Sequence, residues 1–362
     1  MAFATRIEIE ELTELTRSKL KLFLSVDVVG STAFKQSQPR SHHRNRCEDT
    51  GPANWLTFLS SFYRDFGSRL KLHLGRCLLS TGLTDGDTDK HVGYPSLWKA
   101  LGDELVFVIE LKHEKHLSVI LDAFRHAINE EIDRARAGDH PLPISFKGAA
   151  WIAGFPVCNA EIPIKSDIPQ PDGKTPVIGY DYAGPCIDIG FRISKLASPH
   201  RLVVTAEIAY LLAITGSEMV HFLHPDRPTE FKGVLGGDEY PVFWIDCFRD
   251  VKREMWKSTI KGECETERLE LTYRGQEALS PQCSKDALKT FLETWFERHQ
   301  HLLIKPFVPR ENPVIPEPPD YQQHLALVQA ELRDLYRSDE ESTDAGNPQG
   351  NRLVELGAEK IV

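Results

Sequence analysis

The chain has 362 residues and a formal net charge of −10, with 41% hydrophobic and 27% charged residues. Its length suits one large domain with an extension or two ordinary domains, and its composition is that of a soluble chain with a real core. The acidic balance argues against a general nucleic-acid or membrane-surface binder, because such proteins carry a basic face.

In chain order, a short amphipathic lead over 6–18 precedes an apolar strand over about 20–29. Residues 36–53 are polar and turn-rich. Trp55, Phe58, Leu59, Phe62, Phe66 and Leu70 then recur at helical spacing and predict a helix with a core-facing stripe. "RCLLSTGL" reads as a strand, and "SLWKALGDELVFVIEL" as a hairpin turning at Gly102–Asp103. A second amphipathic helix is expected over 114–136, with Leu117, Leu121, Phe124, Ile128 and Ile132 on one face. Strands are expected at 144–153, 201–205 and 240–247, with a short helix at 206–215. This pattern predicts an α+β sandwich with helices packed on one sheet.

The pattern changes after residue 250. Helices are expected at 285–303 and 322–337, separated by a stretch holding six prolines over 305–319. The tail "SDEESTDAGNPQGN" has a disorder-like composition. The expected division is therefore 1–250 and an accessory extension, 251–362, with self-association as its role. The seven cysteines are scattered with no C-x-x-C pair. That set fits a reducing compartment better than a disulfide framework or zinc cluster. The N-terminus is polar rather than signal-like, and no apolar run approaches the ~18 residues of a membrane span. The expected location is the cytoplasm.

Chemistry enters with "KLKLFLSVDVVGSTAFK" at 19–35. Asp27 stands in an apolar strand, where a carboxylate is costly unless it is paired or bound. Asp103, at the turn of the expected hairpin, can meet it at the ends of neighbouring strands. Two such carboxylates suit divalent cations, whose charge replaces lost hydration. Gly30 follows at once, and a helix beginning after a glycine turn favours phosphate. Each half of this signature is weak alone; together they point to a nucleotide polyphosphate.

The segments "FLSVDVVGSTAFK", "LWKALGDELVF", "DYAGPCIDIGFRISKLASPHRLVVT" and "EFKGVLGGDEYPVFW" occur in the order of the class III nucleotidyl cyclase catalytic domain, which the chain resembles over about 18–250. By its G-S-T turn, its "IDIGFRI" and its C-terminal extension it is most similar to the bacterial Pycsar pyrimidine cyclases. The resemblance implies a ferredoxin-like, palm-type sandwich with a C-terminal helical extension, acting as a head-to-tail homodimer with shared active sites. It implies that Asp27, Asp103 and the Val28 carbonyl bind two divalent cations, Mn²⁺ or Mg²⁺. Gly30, Ser31 and Thr32 would form the nucleotide-binding turn. The opposing subunit would supply Lys99 and Asp181 to the base, and Asp188 and Arg192 near ribose and phosphate; Lys232 would hold the terminal phosphates. Asp188 departs from the asparagine usual in the class, and an acid there adds negative charge near phosphate.

The implied product is 3′,5′-cyclic UMP made from UTP, a second messenger for a separate effector in anti-phage defence. A lysine–aspartate pair serves adenine, cytosine and uracil alike, so hydrogen bonding leaves ATP and CTP as alternatives. A bulky Trp55 or Tyr63 filling the purine's extra ring is one route to pyrimidine choice. A catalytically silent nucleotide-binding switch and a structural dimerisation protein are the alternatives of other classes. Two motifs mislead. "GGDEY" at 236–240 imitates a diguanylate cyclase signature but reads as the turn of a terminal hairpin. "DGDTD" at 85–89 imitates a calcium loop, yet Lys90 and Ser96 stand where that loop needs glycine and glutamate.

Overall fold

The computed structural model describes residues 9–37, 54–81, 92–137, 144–166, 168, 176–199, 201–247 and 285–344. The first half runs α1 (Ile9–Leu15), β1 (Lys19–Val29), α2 (Ser31–Ser37), α3 (Asn54–Thr81), β2 (Ser96–Leu101), β3 (Glu104–Glu110), α4 (His116–Ala137) and β4 (Ser145–Phe155). A ribbon of β5 (Ala160–Lys165) and β6 (Val177–Ala183) leads into α5 (Pro185–Ile193), β7 (Arg201–Val204) and α6 (Ala206–Thr215). Then come β8 (Leu223–Pro225), β9 (Thr229–Glu230), β10 (Glu239–Tyr240), β11 (Phe243–Asp246), α7 (Lys285–Arg298) and α8 (Tyr321–Asp344).

The central sheet has the order β2-β3-β1-β4-β7-β11-β8. Within it β1-α3-β2-β3-α4-β4 is a βαββαβ unit, with β1 antiparallel to both β3 and β4. That is the expected ferredoxin-like arrangement. A short parallel pairing of β4 with β7 makes the whole sheet mixed.

Being central, β1 is buried on both faces from Leu22 to Val26, which explains its near-continuous apolar run. Leu22, Leu24 and Val26 join Phe62, Phe66 and Leu70 of α3 and Phe124 and Ile128 of α4 in the main core. On the other face Phe23 stacks on Trp151 with ring centroids 5.6 Å apart, and Phe155, Tyr182 and Ile187 complete a second, aromatic cluster. Burying a side chain of this size is worth about 1.5–3 kcal/mol. α5 closes that cluster. Gly190 lies so near Trp151 that a Cβ there would come within 2.2 Å of the indole, so only glycine lets the helix settle.

Most expected elements are present, and two differ. Residues 76–81 of "RCLLSTGL" are the last turns of α3, because Leu70, Leu74 and Cys77 continue its stripe into the core at helical spacing, and the remaining two lie outside the described residues. A short apolar run does not reveal its own period. At the C-terminus α8 extends to Asp344, into the stretch expected to be disordered; Glu340 and Glu341 are good helix formers. Leu288, Leu292, Trp295 and Phe296 of α7 are buried in the same core as the first 250 residues. The Tyr321 hydroxyl donates to the Phe155 carbonyl over 3.1 Å. β9 and β10 pair antiparallel, so "GGDEY" is the turn and return of a hairpin as expected. "DGDTD", Cys47, Cys264 and Cys283 lie outside the described residues. Cys77, Cys158, Cys186 and Cys247 are not in disulfides. No helix of the described residues is long and apolar enough to cross a membrane.

Candidate active site

Asp27 lies near the C-terminal end of β1, on the face that carries Phe23. Register places Glu104 of β3 and Lys147 of β4 directly opposite it, so three charged side chains cross the sheet in a row. Lys147 Nζ is 3.1 Å from Asp27 Oδ2. Ser25 Oγ donates to Glu104 Oε1 over 2.5 Å. These residues line a cleft of about 240 Å³, walled on its far side by Phe191, Ser194 and Lys195.

Asp103 sits in the β2–β3 turn, which Gly102 makes with φ of 74°. Its carbonyl accepts from Val28 N–H over 3.2 Å, binding the turn to the end of β1. The Ser31 hydroxyl donates to the Asp103 carboxylate. Ser31 is the first residue of α2 and follows Gly30, whose φ is 83°. One turn thus links the glycine, the helix start and the second aspartate. Burial pushes the Asp27 carboxyl above its ordinary range; Lys147 opposes this, while the charge of Asp103 adds to it. Glu104 is raised too, first by burial and then by Asp27 and Asp103. Two mutually repelling carboxylates, both oxygen donors, fit a hard divalent cation.

Lys99 and Asp181 meet within the chain, Nζ to Oδ1 at 2.8 Å, across β2 and the β5–β6 ribbon. Trp98 Nε1 also donates to Asp181 Oδ1, over 3.2 Å, and so does the Tyr182 N–H, over 2.9 Å. Adjacent strand residues ordinarily face opposite ways. The irregularity between Leu97 and Lys99 in the β2–β3 register re-aims this stretch, so both Trp98 and Lys99 reach one oxygen. Burial acts to raise the Asp181 carboxyl, but Lys99, Tyr182 and Trp98 together hold it below the usual carboxylate range. All three of these donors fall on Oδ1, so Oδ2 can accept from a ligand N–H.

The remaining residues are not gathered around Asp27 of the same chain. Ile187, Gly190 and Ile193 of α5 are buried, whereas Asp188 is exposed and Arg192 half-buried on the outward side. Phe191, Ser194 and Lys195 line the Asp27 cleft; Arg192 does not. Thr32 is exposed at the start of α2, and Lys232 is exposed just after β9. Tyr63 donates its hydroxyl to the Gly102 carbonyl, and Trp55 packs on the main core. Neither stands beside the Lys99–Asp181 pair of its own chain. The aromatic that does is Trp98, 4.5 Å from Lys99 Nζ at its ring centroid. Sequence reading missed Trp98, Glu104, Lys147 and Lys195. Glu104 alone had a signal, being the next residue after Asp103.

No protein-family model and no curated protein matches the chain. Among solved structures it is similar to the adenylyl cyclase CyaB from P. aeruginosa, with 10% identity, a TM-score of 0.38, and coverage of 63% of this chain and 94% of that one. Another is the guanylyl cyclase Cya2, with 13% identity, a TM-score of 0.38, and coverage of 64% and 92%. A third is the guanylate cyclase domain of RhGC from Catenaria anguillulae in complex with GTP, with 10% identity, a TM-score of 0.35, and coverage of 63% and 97%. At such scores the chemistry has to be read from the side chains themselves.

Proposed function

We propose that the chain is a class III nucleotidyl cyclase that converts UTP to 3′,5′-cyclic UMP and diphosphate, working as a homodimer with shared sites. The observation that carries this reading is the joined pair Asp27–Asp103 beside the Gly30–Ser31 helix start. Divalent cations held by Asp27, Asp103 and the Val28 carbonyl would lower the pKa of the ribose 3′-hydroxyl and stabilise charge at the α-phosphorus. Ser31 fixes the Asp103 carboxylate by its hydrogen bond. The Gly30–Ser31–Thr32 turn presents backbone N–H groups to phosphate. Cyclisation forms a bond from the 3′-oxygen to the α-phosphorus and breaks the bond to the departing diphosphate. Arg192 of the opposing subunit stabilises the charge on that leaving group, an effect worth about 10³–10⁵ in rate in comparable phosphoryl transfers. Lys232 steadies the terminal phosphates, and Asp188 lies near the ribose.

The opposing subunit's Lys99 donates to a uracil carbonyl while Asp181 Oδ2 accepts from N3–H. Exposed Leu97, Leu101 and Ile178 lie on the same strands as that pair, Ile162 and Ile164 lie on β5 beside it, and together they supply apolar surface for a dimer contact. In this reading cyclic UMP is a cytoplasmic messenger for a separate effector in anti-phage defence, and no nucleic acid or membrane is a partner. The test is to incubate the purified protein with Mn²⁺ and each of the four nucleoside triphosphates, identifying products by mass. Cyclic UMP should dominate. Cyclic AMP or cyclic CMP as the main product would overturn the base choice and keep the mechanism. Absence of any cyclic product would favour the silent nucleotide-binding switch.

Asp238 and Glu239 should prove dispensable for that chemistry, since they belong to a hairpin return. Asp238 Oδ2 lies 3.2 Å from His299 Nε2, and Asp238 is itself exposed. Asp238→Ala with Glu239→Ala should therefore cost about 0–1 kcal/mol of stability, seen in denaturant unfolding, and leave turnover largely intact. Complete loss of turnover in the folded variant would reopen the diguanylate reading.

A further inference from the structure

On the seam between α3 and α4, Cys77, Asp122 and His126 bring a thiol, a carboxylate and an imidazole within 4.8 Å of one another. These helices cover the sheet face opposite Asp27, and none of the three residues belongs to the proposed cyclase site. Asp122 and His126 are one helical turn apart and share a side of α4; Cys77 meets them from α3. Asp122 Oδ2 lies 3.7 Å from Cys77 Sγ and 3.6 Å from His126 Nε2. A direct N–H···O bond would bring nitrogen and oxygen to about 2.9 Å. Around a tetrahedral zinc ion, with Zn–S about 2.3 Å and Zn–N or Zn–O about 2.0–2.2 Å, the S···O and N···O edges come to about 3.6 and 3.4 Å. The Cys77–Asp122 distance is also that of a thiol hydrogen bond and the His126–Asp122 distance that of an ion pair, and both edges match those of ligands sharing one ion.

The neighbouring side chains brace this arrangement. Arg125 Nη2 donates to the other oxygen, Asp122 Oδ1, over 2.7 Å and so fixes the carboxylate with Oδ2 toward Cys77. His73, one turn before Cys77, stacks on the His126 ring with centroids 5.8 Å apart. His73 is itself anchored, its Nε2 2.7 Å from Glu130 Oε2. Outer contacts of this kind orient metal ligands and tune their affinity. A thiolate, an imidazole and a carboxylate together select zinc over the hard cations.

We infer that Cys77, Asp122 and His126 form a Zn²⁺ site that clamps α3 to α4, with water as the fourth ligand. Binding forms the Sγ–Zn bond and releases the Cys77 proton to solvent. The probe is Co²⁺, added to metal-free full-length protein carrying Asp27→Ala so that the proposed catalytic carboxylates do not compete. Equimolar Co²⁺ should give thiolate-to-metal charge-transfer absorption and the visible bands of a four-coordinate ion, bleached by equimolar Zn²⁺. Cys77→Ser and His126→Ala should each weaken Co²⁺ binding by at least about tenfold, while Cys158→Ser leaves it unchanged. Zn²⁺ should also raise the thermal midpoint of the parent and not of the His126→Ala variant. The His126 side chain is 37% exposed, so that variant keeps its fold even if Cys77→Ser does not. Failure of Co²⁺ to produce these bands, or bands that survive His126→Ala undiminished, would overturn the site.

Discussion

Asp27→Ala and Asp103→Ala are each expected to lower cyclisation by at least about 10³-fold, since each removes a cation ligand worth several kcal/mol to the transition state. Both variants should stay folded. Asp27 is already disfavoured as an anion by its burial and by the charge of Asp103, with Lys147 and a main-chain hydrogen bond at Val28 in its favour. Losing either carboxylate relieves that repulsion. Asp103 leaves behind one hydroxyl partner, Ser31, and its main-chain bond to Val28 survives the substitution. Turnover in the four-nucleotide assay and far-ultraviolet circular dichroism are the two measurements. Near-normal turnover in either folded variant would sink the cation assignment. A large loss of fold in both would mean that the pair is structural.

The second large effect is a rescue. Arg192 lies on the outward side of α5 and does not line the Asp27 cleft of its own chain, so the proposed site takes each residue from a different subunit. Asp27→Ala and Arg192→Ala homodimers should both be nearly inactive, because every site in each carries a lesion. A mixed dimer differs: one site carries both lesions and the other none. If equal amounts mix at random, half of the dimers are mixed and each has one intact site, giving about a quarter of wild-type specific activity. The rescue should vanish when both substitutions sit on one chain and that chain is paired with either single variant. Verified mixed dimers without activity would place the site within one subunit, where Lys195, not Arg192, faces Asp27.

The strands and helices whose apolar pattern is long and regular were legible from the residues alone. β1, α4, β4, β7 and α6 stand where their patterns place them, because each buries a continuous face and burial writes its period into the residues. The sequence also singled out Asp27, since a carboxylate in an apolar strand is costly unless it is paired or bound, and Asp103 at the turn of the neighbouring hairpin. What depends on strand pairing emerged only from the packed fold. Glu104 and Lys147 become neighbours of Asp27 only through the register of three strands. Trp98 joins Lys99 on Asp181 only through an irregularity in β2, which no alternation rule foretells. The β5–β6 ribbon was not read because β5 alternates exposed and half-buried positions and β6 buries only Tyr182, with too little apolar contrast to stand out. The end of α3 was misread because Leu78 and Leu79 beside Cys77 make a run that suits a strand equally well. Only the packing of Leu74 and Cys77 into the core shows that the helix continues.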